Sequence, residues 1–113
     1  MTASSVTIAP YVVTVEFVLH SAAIMAEFRA LIDDNARQSC AGEPGCRRFD
    51  VLAPKGRADA VFLYEIYDSR AAFEDHLMAA HYHLFDKASA AMVLRKVVQE
   101  FTLECEGSHP QAK

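Results

Sequence analysis

Three observations predict an α+β domain in which one four-stranded antiparallel sheet carries its helices on one face. Tyr11 to Leu19 alternates apolar and mixed positions; apolar residues recur at helical spacing after Ser21 and again after Ser69; and two further strand-like runs flank the turn Pro54-Lys55-Gly56. The order that results is β-α-β-β-α-β.

The first strand, Ile8 to Leu19, places Val13, Val15, Phe17 and Leu19 on one face and Val12, Thr14, Glu16 and Val18 on the other. Ser21 follows as an N-cap. Ile24, Met25, Phe28, Leu31 and Ile32 then form one side of a helix, opposite Glu27, Arg29, Asp33 and Asp34. That helix runs to about Cys40, where Gly42 and the Pro44-Gly45 pair stop it. Cys46 to Leu52 is the second strand, with Phe49 and Val51 on one face. Ala60 to Tyr67 is the third, and it is apolar on both parities: Val61, Leu63 and Tyr67 against Phe62, Tyr64 and Ile66. Such a strand is covered on both sides. Ser69 caps a helix through Phe73, His76 and Leu77, which breaks near Ala80 before a segment from His81 to about Ala91. Val93 to Glu104 returns as the last strand. This is the split βαβ arrangement of a ferredoxin-like domain. Its helices can cover only one sheet face, so the doubly apolar third strand calls for a second copy of the chain as the other cover.

Length and charge narrow the classes. With 113 residues, 52% of them hydrophobic, the chain reads as a single domain spanning 1–113, with 1–7 and 106–113 as flexible tails. A net charge of −4 with scattered basic residues supplies no positive stripe, which argues against nucleic acid as a partner. The start of the chain lacks a basic segment followed by an apolar one, and Thr14 and Glu16 interrupt the first apolar run. The expectation is a soluble cytoplasmic protein without membrane association. Cys40, Cys46 and Cys105 are odd in number and show no C-x-x-C pair, so they suggest neither a disulfide framework nor a zinc ribbon.

Chemistry concentrates around one acid and a few histidines. Glu65 sits among Leu63, Tyr64, Ile66 and Tyr67, where a carboxylate is costly to bury unless something meets it. A histidine from the overlying helices would fix its own tautomer against Glu65; the alternatives are solvent, or a cross-strand pair with Arg47 or Arg48. His76 lies at the edge of the apolar stripe and His81 opens the next helical segment. Each can serve structure or function. His83 reads as solvated. Metal binding is not expected, because His81 and His83 point about 200° apart on a helix and His76 lies across the break. Tyr64, Tyr67, Tyr82, Phe49 and Phe85 can wall a pocket for a flat ring, or serve as core. No G-x-G-x-x-G, P-loop or H-E-x-x-H motif occurs, so no cofactor is expected.

The run Glu43-Pro44-Gly45-Cys46-Arg47-Arg48-Phe49-Asp50-Val51-Leu52, then Phe62-Leu63-Tyr64-Glu65-Ile66-Tyr67 and Phe73-Glu74-Asp75-His76, resembles the antibiotic biosynthesis monooxygenase superfamily. The resemblance implies a ferredoxin-like fold, a homodimer with sheets paired into a barrel-like assembly, and active-site histidines at His76 and His81. It also implies that haem is disfavoured, since haem-degrading relatives use a tryptophan over the substrate and this chain has none. Two activities fit the resemblance. One is a cofactor-independent monooxygenase, in which His76 or His81, oriented by Glu65, deprotonates a small phenol or quinol whose anion reduces O₂, with Tyr64 and Tyr82 positioning the ring. The other is an isomerase of a phosphorylated hydroxyketone or dicarbonyl, which needs Arg48, Lys55 or Arg57 at the pocket mouth for the phosphate. A dimeric binding module without catalysis is the third reading.

Overall fold

Alternation in the sequence becomes a sheet of four strands, β1 (Tyr11–Leu19), β2 (Cys46–Leu52), β3 (Ala60–Tyr67) and β4 (Val93–Thr102), in a computed structural model that describes residues 9–107. The strands lie in the order β2-β3-β1-β4, and every neighbouring pair is antiparallel. Helices α1 (Met25–Gly42), α2 (Arg70–Met78) and α3 (Ala80–Ser89) pack on one face. Among the described residues no helix is long and apolar enough to cross a membrane.

The register assigns each side chain to a face. Val13, Val15 and Phe17 of β1 stand opposite Glu65, Leu63 and Val61 of β3, and this parity meets the helices. Phe17, Phe28 and Phe85 close the core there as an edge-to-face trio with centroids 5.1–5.9 Å apart. On the other face Val12 and Val18 are buried and Phe62, Tyr64 and Ile66 are half-buried, while Leu52, Val97 and Phe101 are 45%, 39% and 44% exposed.

Several boundaries move from their expected places. Ser21 caps a short 3₁₀ turn, Ala22–Ile24, its Oγ accepting from the Ala23 N–H at 3.0 Å, and α1 proper begins at Met25. The helix runs through Gly42, beyond the expected end at Cys40. The break between α2 and α3 falls at Ala79, whose extended backbone (φ −72°, ψ 146°) interrupts the helical ladder. β4 ends at Thr102, before the expected Glu104. Ile8 and the tails 1–7 and 108–113 lie outside the described residues, and Glu106 and Gly107 are exposed and irregular.

The turn between α1 and β2 is held close to α2. A Cβ on Gly45 would stand 2.5 Å from Ala72 Cβ, an approach only glycine permits, and the Asp68 N–H donates to Gly45 O at 2.8 Å. Across this turn Cys40, exposed at the end of α1, and Cys46, buried at the start of β2, bring their sulfur atoms to 3.2 Å. Their spacing in sequence gave no hint of that contact.

Candidate functional site

A cavity of about 230 Å³ lies between the helices and the sheet, floored by Val13, Val15 and Leu63 and roofed in part by Ile32, Leu77 and Phe85. Six side chains bring polar groups to this apolar space: Asn35 of α1, Glu65 of β3, His76 of α2, Tyr82 of α3, and Lys96 and Glu100 of β4. Lys96, Val98 and Glu100 share the helix-facing parity of edge strand β4, where cover from the helices ends.

His76 reaches the cavity because α2 presents Phe73 and His76 on the same buried side. Its Nδ1 lies 2.9 Å from Oε2 of Glu43, the residue that follows α1. His81 Nε2 is hydrogen-bonded to the same oxygen. The interruption at Ala79 makes this possible: two histidines five positions apart diverge on a continuous helix, whereas the extended residue turns both rings toward one carboxylate. With Nδ1 protonated, His76 donates to Glu43 and leaves Nε2 as a free acceptor, which has no partner among the described residues. Ser39 Oγ stands 3.4 Å from the same Nδ1 and donates to Asn35 O at 2.7 Å. Burial lowers the His76 pKa below its ordinary 6.5, with Glu43 opposing, so the ring is neutral at neutral pH.

Glu65 is 3% exposed, as its apolar neighbours foretold, but its partner differs from the expected histidine. The Tyr67 hydroxyl, two residues along the same face, donates to Glu65 Oε1 at 2.6 Å. Arg47 and Arg48 do not meet it either, being paired with Asp68 and Asp50. Burial raises Glu65 from 4.5 to about 7, with Tyr67 opposing, and the Tyr67 hydroxyl is itself pushed upward by burial, which keeps it a donor. The cavity therefore holds a neutral imidazole and a carboxyl poised near neutrality.

The remaining expected residues divide by parity. Phe49, Phe85 and Tyr82 line the cavity. Tyr64 and Arg48 do not: they stand opposite Asp50 and Ile66 on the other sheet face, and Arg48 is spent on Asp50 at 2.6 Å. His81 sits behind His76 and off the lining, and His83 is exposed. Of the expected phosphate ligands, Arg48, Lys55 and Arg57 all lie off the cavity, and Arg57 pairs with Asp59.

Sequence reasoning missed Glu43, Asn35, Ser39 and Lys96. Asn35 Oδ1 and Glu43 Oε1 are buried with no hydrogen-bond partner among the described residues. Lys96 Nζ has no carboxylate within 4.0 Å among the described residues; it lies 5.7 Å from the Tyr82 ring and 3.5 Å from the Tyr82 hydroxyl. Donor atoms of Glu43, His76 and His81 fall within 4.8 Å of one another, so these three side chains can also hold a cation, contrary to the argument from histidine spacing.

Comparison with known proteins agrees with this architecture. Rv0793 from Mycobacterium tuberculosis superposes with a TM-score of 0.80 at 25% identity, over 88% of this chain and 100% of that one. SnoaB from Streptomyces nogalater, described as a cofactor-independent oxygenase, gives 0.76 at 19% identity, over 87% of this chain and 96% of that one. PA3566 from Pseudomonas aeruginosa gives 0.71 at 18% identity, over 89% and 100%. At such identities the last two speak for the fold alone. No curated protein matches the sequence. The family model for antibiotic biosynthesis monooxygenases matches residues 10–88, well over half of the sequence, and on that match the chain belongs to the antibiotic biosynthesis monooxygenase family.

Proposed function

We propose that this protein is a cofactor-independent monooxygenase of a small phenol or quinol, with His76 as the base. One observation carries the reading: His76 lines an apolar cavity while Glu43 holds its Nδ1, which leaves Nε2 to accept a proton from a ligand. Glu43 takes the orienting role that sequence reasoning gave to Glu65. An engineered cavity of about 150 Å³ accepts benzene, so one of 230 Å³ suits a one- or two-ring aromatic.

Deprotonation of the substrate hydroxyl by His76 gives an electron-rich anion, which Lys96 at the cavity edge stabilises. The anion transfers one electron to O₂, the radical pair combines at a hydrogen-bearing ring carbon, and the resulting peroxide anion takes back the proton held by His76 to become a hydroperoxide. Loss of water then leaves a carbonyl, so one oxygen atom enters the product and the other leaves as water. Glu65, with its pKa near 7, supplies the proton that the departing hydroxide needs and is restored by the proton that the same ring carbon loses as the carbonyl forms. Oxygen uptake with naphthols and quinols, run beside a tautomerisation assay on phosphorylated dicarbonyls, tests the assignment. Isomer formation without oxygen consumption would overturn it.

A second reading is favoured by the clustering of Glu43, His76 and His81 and by the unpartnered Glu43 Oε1: a divalent cation held by two imidazoles and a carboxylate. Because Glu43 Oε2 already accepts from both rings, we expect protein purified without added metal to contain well under one equivalent of zinc, iron or copper, and turnover to survive chelation. Elemental analysis distinguishes the readings. One equivalent of metal that disappears in His81→Ala favours the cation.

The protein works as a homodimer whose subunits meet by the sheet face opposite the helices, where Leu52, Val97 and Phe101 extend the apolar surface of Phe62, Tyr64 and Ile66. An interface on the order of 2,000 Å² in total is expected. Light scattering checks this, and a stable monomer at micromolar concentration would contradict it.

A further inference from the structure

We propose that Cys40 and Cys46 form a dithiol oxidation site that a hydroperoxide converts to a disulfide. The two sulfur atoms lie 3.2 Å apart in the reduced chain, so a closing movement of roughly 1.2 Å reaches the bond length of about 2.05 Å. The two residues also differ in access, as a sequential oxidation requires. Cys40 is exposed at the end of α1, open to an oxidant; Cys46 is buried, and burial pushes its thiol upward in pKa, which keeps it protonated and unreactive until its neighbour has changed. Neither thiol belongs to the proposed proton-transfer machinery.

The chemistry balances in two steps. The Cys40 thiolate attacks the peroxide oxygen, breaking the O–O bond, giving a sulfenic acid and releasing an alcohol, or water when the oxidant is hydrogen peroxide. Cys46 then gives up its proton as its sulfur displaces hydroxide from the Cys40 sulfur, forming the S–S bond and water. In sum, two thiols and one hydroperoxide give one disulfide, one alcohol and one water.

The ring so formed encloses Ala41, Gly42, Glu43, Pro44 and Gly45. It ties the end of α1 to the start of β2 on either side of the carboxylate that contacts both His76 and His81. Oxidation therefore acts on the segment that orients both imidazoles, and the thiol state is coupled to their surroundings.

The test uses the full chain, reduced and then exposed to hydrogen peroxide, alkylated, and digested with trypsin. Both cysteines fall within one tryptic peptide, Gln38 to Arg47, while Cys105 falls in another, which serves as an internal control. The expected result is a Gln38–Arg47 peptide two hydrogens lighter and unalkylated, with Cys105 still alkylated, and no such species in Cys40→Ser. Recovery of Cys40 as a sulfinic acid or in an intermolecular disulfide, with Cys46 free to alkylate, would overturn the proposal, as would two alkylatable thiols after a reference dithiol has been fully oxidised. The coupling has its own readout, the ring-nitrogen resonances of His76 and His81. A shift on oxidation that is absent in Cys40→Ser supports the coupling, and unchanged resonances in the oxidised chain overturn it.

Discussion

His76→Ala is expected to lower oxygen uptake on the active phenol or quinol by about 10²- to 10⁴-fold, the usual cost of losing a general base. Glu43→Gln should fall in the same direction, since an amide in that place can present its N–H₂ to Nδ1 and put the ring in the wrong tautomer. His81→Ala should cost less, because His81 meets Glu43 but does not line the cavity. His83→Ala, altering an exposed ring, should leave the rate unchanged. The acid limb of kcat/KM should lie below pH 6.5, where the buried ring finally takes a proton, and it should disappear with His76. Wild-type turnover in His76→Ala, with the fold intact, would place the base elsewhere, and Glu65 would be the next group to replace.

Glu65→Gln is expected to stabilise the protein in alkaline solution while it removes the proposed proton donor. The buried carboxyl titrates at about 7 in the folded chain and at 4.5 in the unfolded one. Below pH 4.5 it is neutral in both states and costs nothing. As the pH rises from 4.5 to 7, the unfolded chain sheds the proton that the folded chain retains, so stability drains away across this window and the loss is complete above 7. A shift of this size corresponds to about 3 kcal/mol. Glutamine keeps the oxygen that Tyr67 bonds and never ionises, but its N–H₂ needs a partner, a cost of about 1 kcal/mol. The net gain at pH 8 is therefore about 2 kcal/mol, or about 8 °C in Tm for a chain of this size. Thermal melts from pH 4 to 9 check both the gain and the flattened profile. A variant less stable than wild type at pH 8 would mean that the carboxylate is compensated by something other than Tyr67.

Both effects rest on contacts that the sequence revealed unevenly. Alternation and helical spacing are short-range signals, and they placed every strand and helix in the right order. They also marked Glu65 as buried, because a carboxylate between Tyr64 and Ile66 has few other places to go. Its partner was also legible in principle, since Tyr67 shares its parity two residues along the strand. The same parity separates Tyr64 and Arg48 from Phe49 and Glu65, which is why the first pair lies outside the cavity. Glu43 was harder. In the sequence it reads as part of a turn; what makes it the centre of the site is the break at Ala79, where one extended residue redirects His81, and no periodicity reports the direction of a break. Lys96 and Asn35 were hidden for a similar reason: Asn35 is a polar residue three places after Ile32 on the packed side of its helix, Lys96 a charged one on the outermost strand, and only the tertiary fold shows which elements border the cavity.

The contact between Gly45 and Ala72 makes these two positions a single mechanical joint. The turn that begins at Glu43 and the helix that carries His76 approach there with no room for a β-carbon at position 45, so the placement of the carboxylate and that of the imidazole depend on the same close contact. A methyl group at position 45 would act as a wedge, and a larger residue at 72 would do the same from the opposite side, each opening the 2.9 Å gap across which the ring is held without touching either reacting group. The pair is thus a tolerance that evolution or design can adjust only in concert: the spacing of the proton-transfer residues is set by two of the smallest side chains in the molecule.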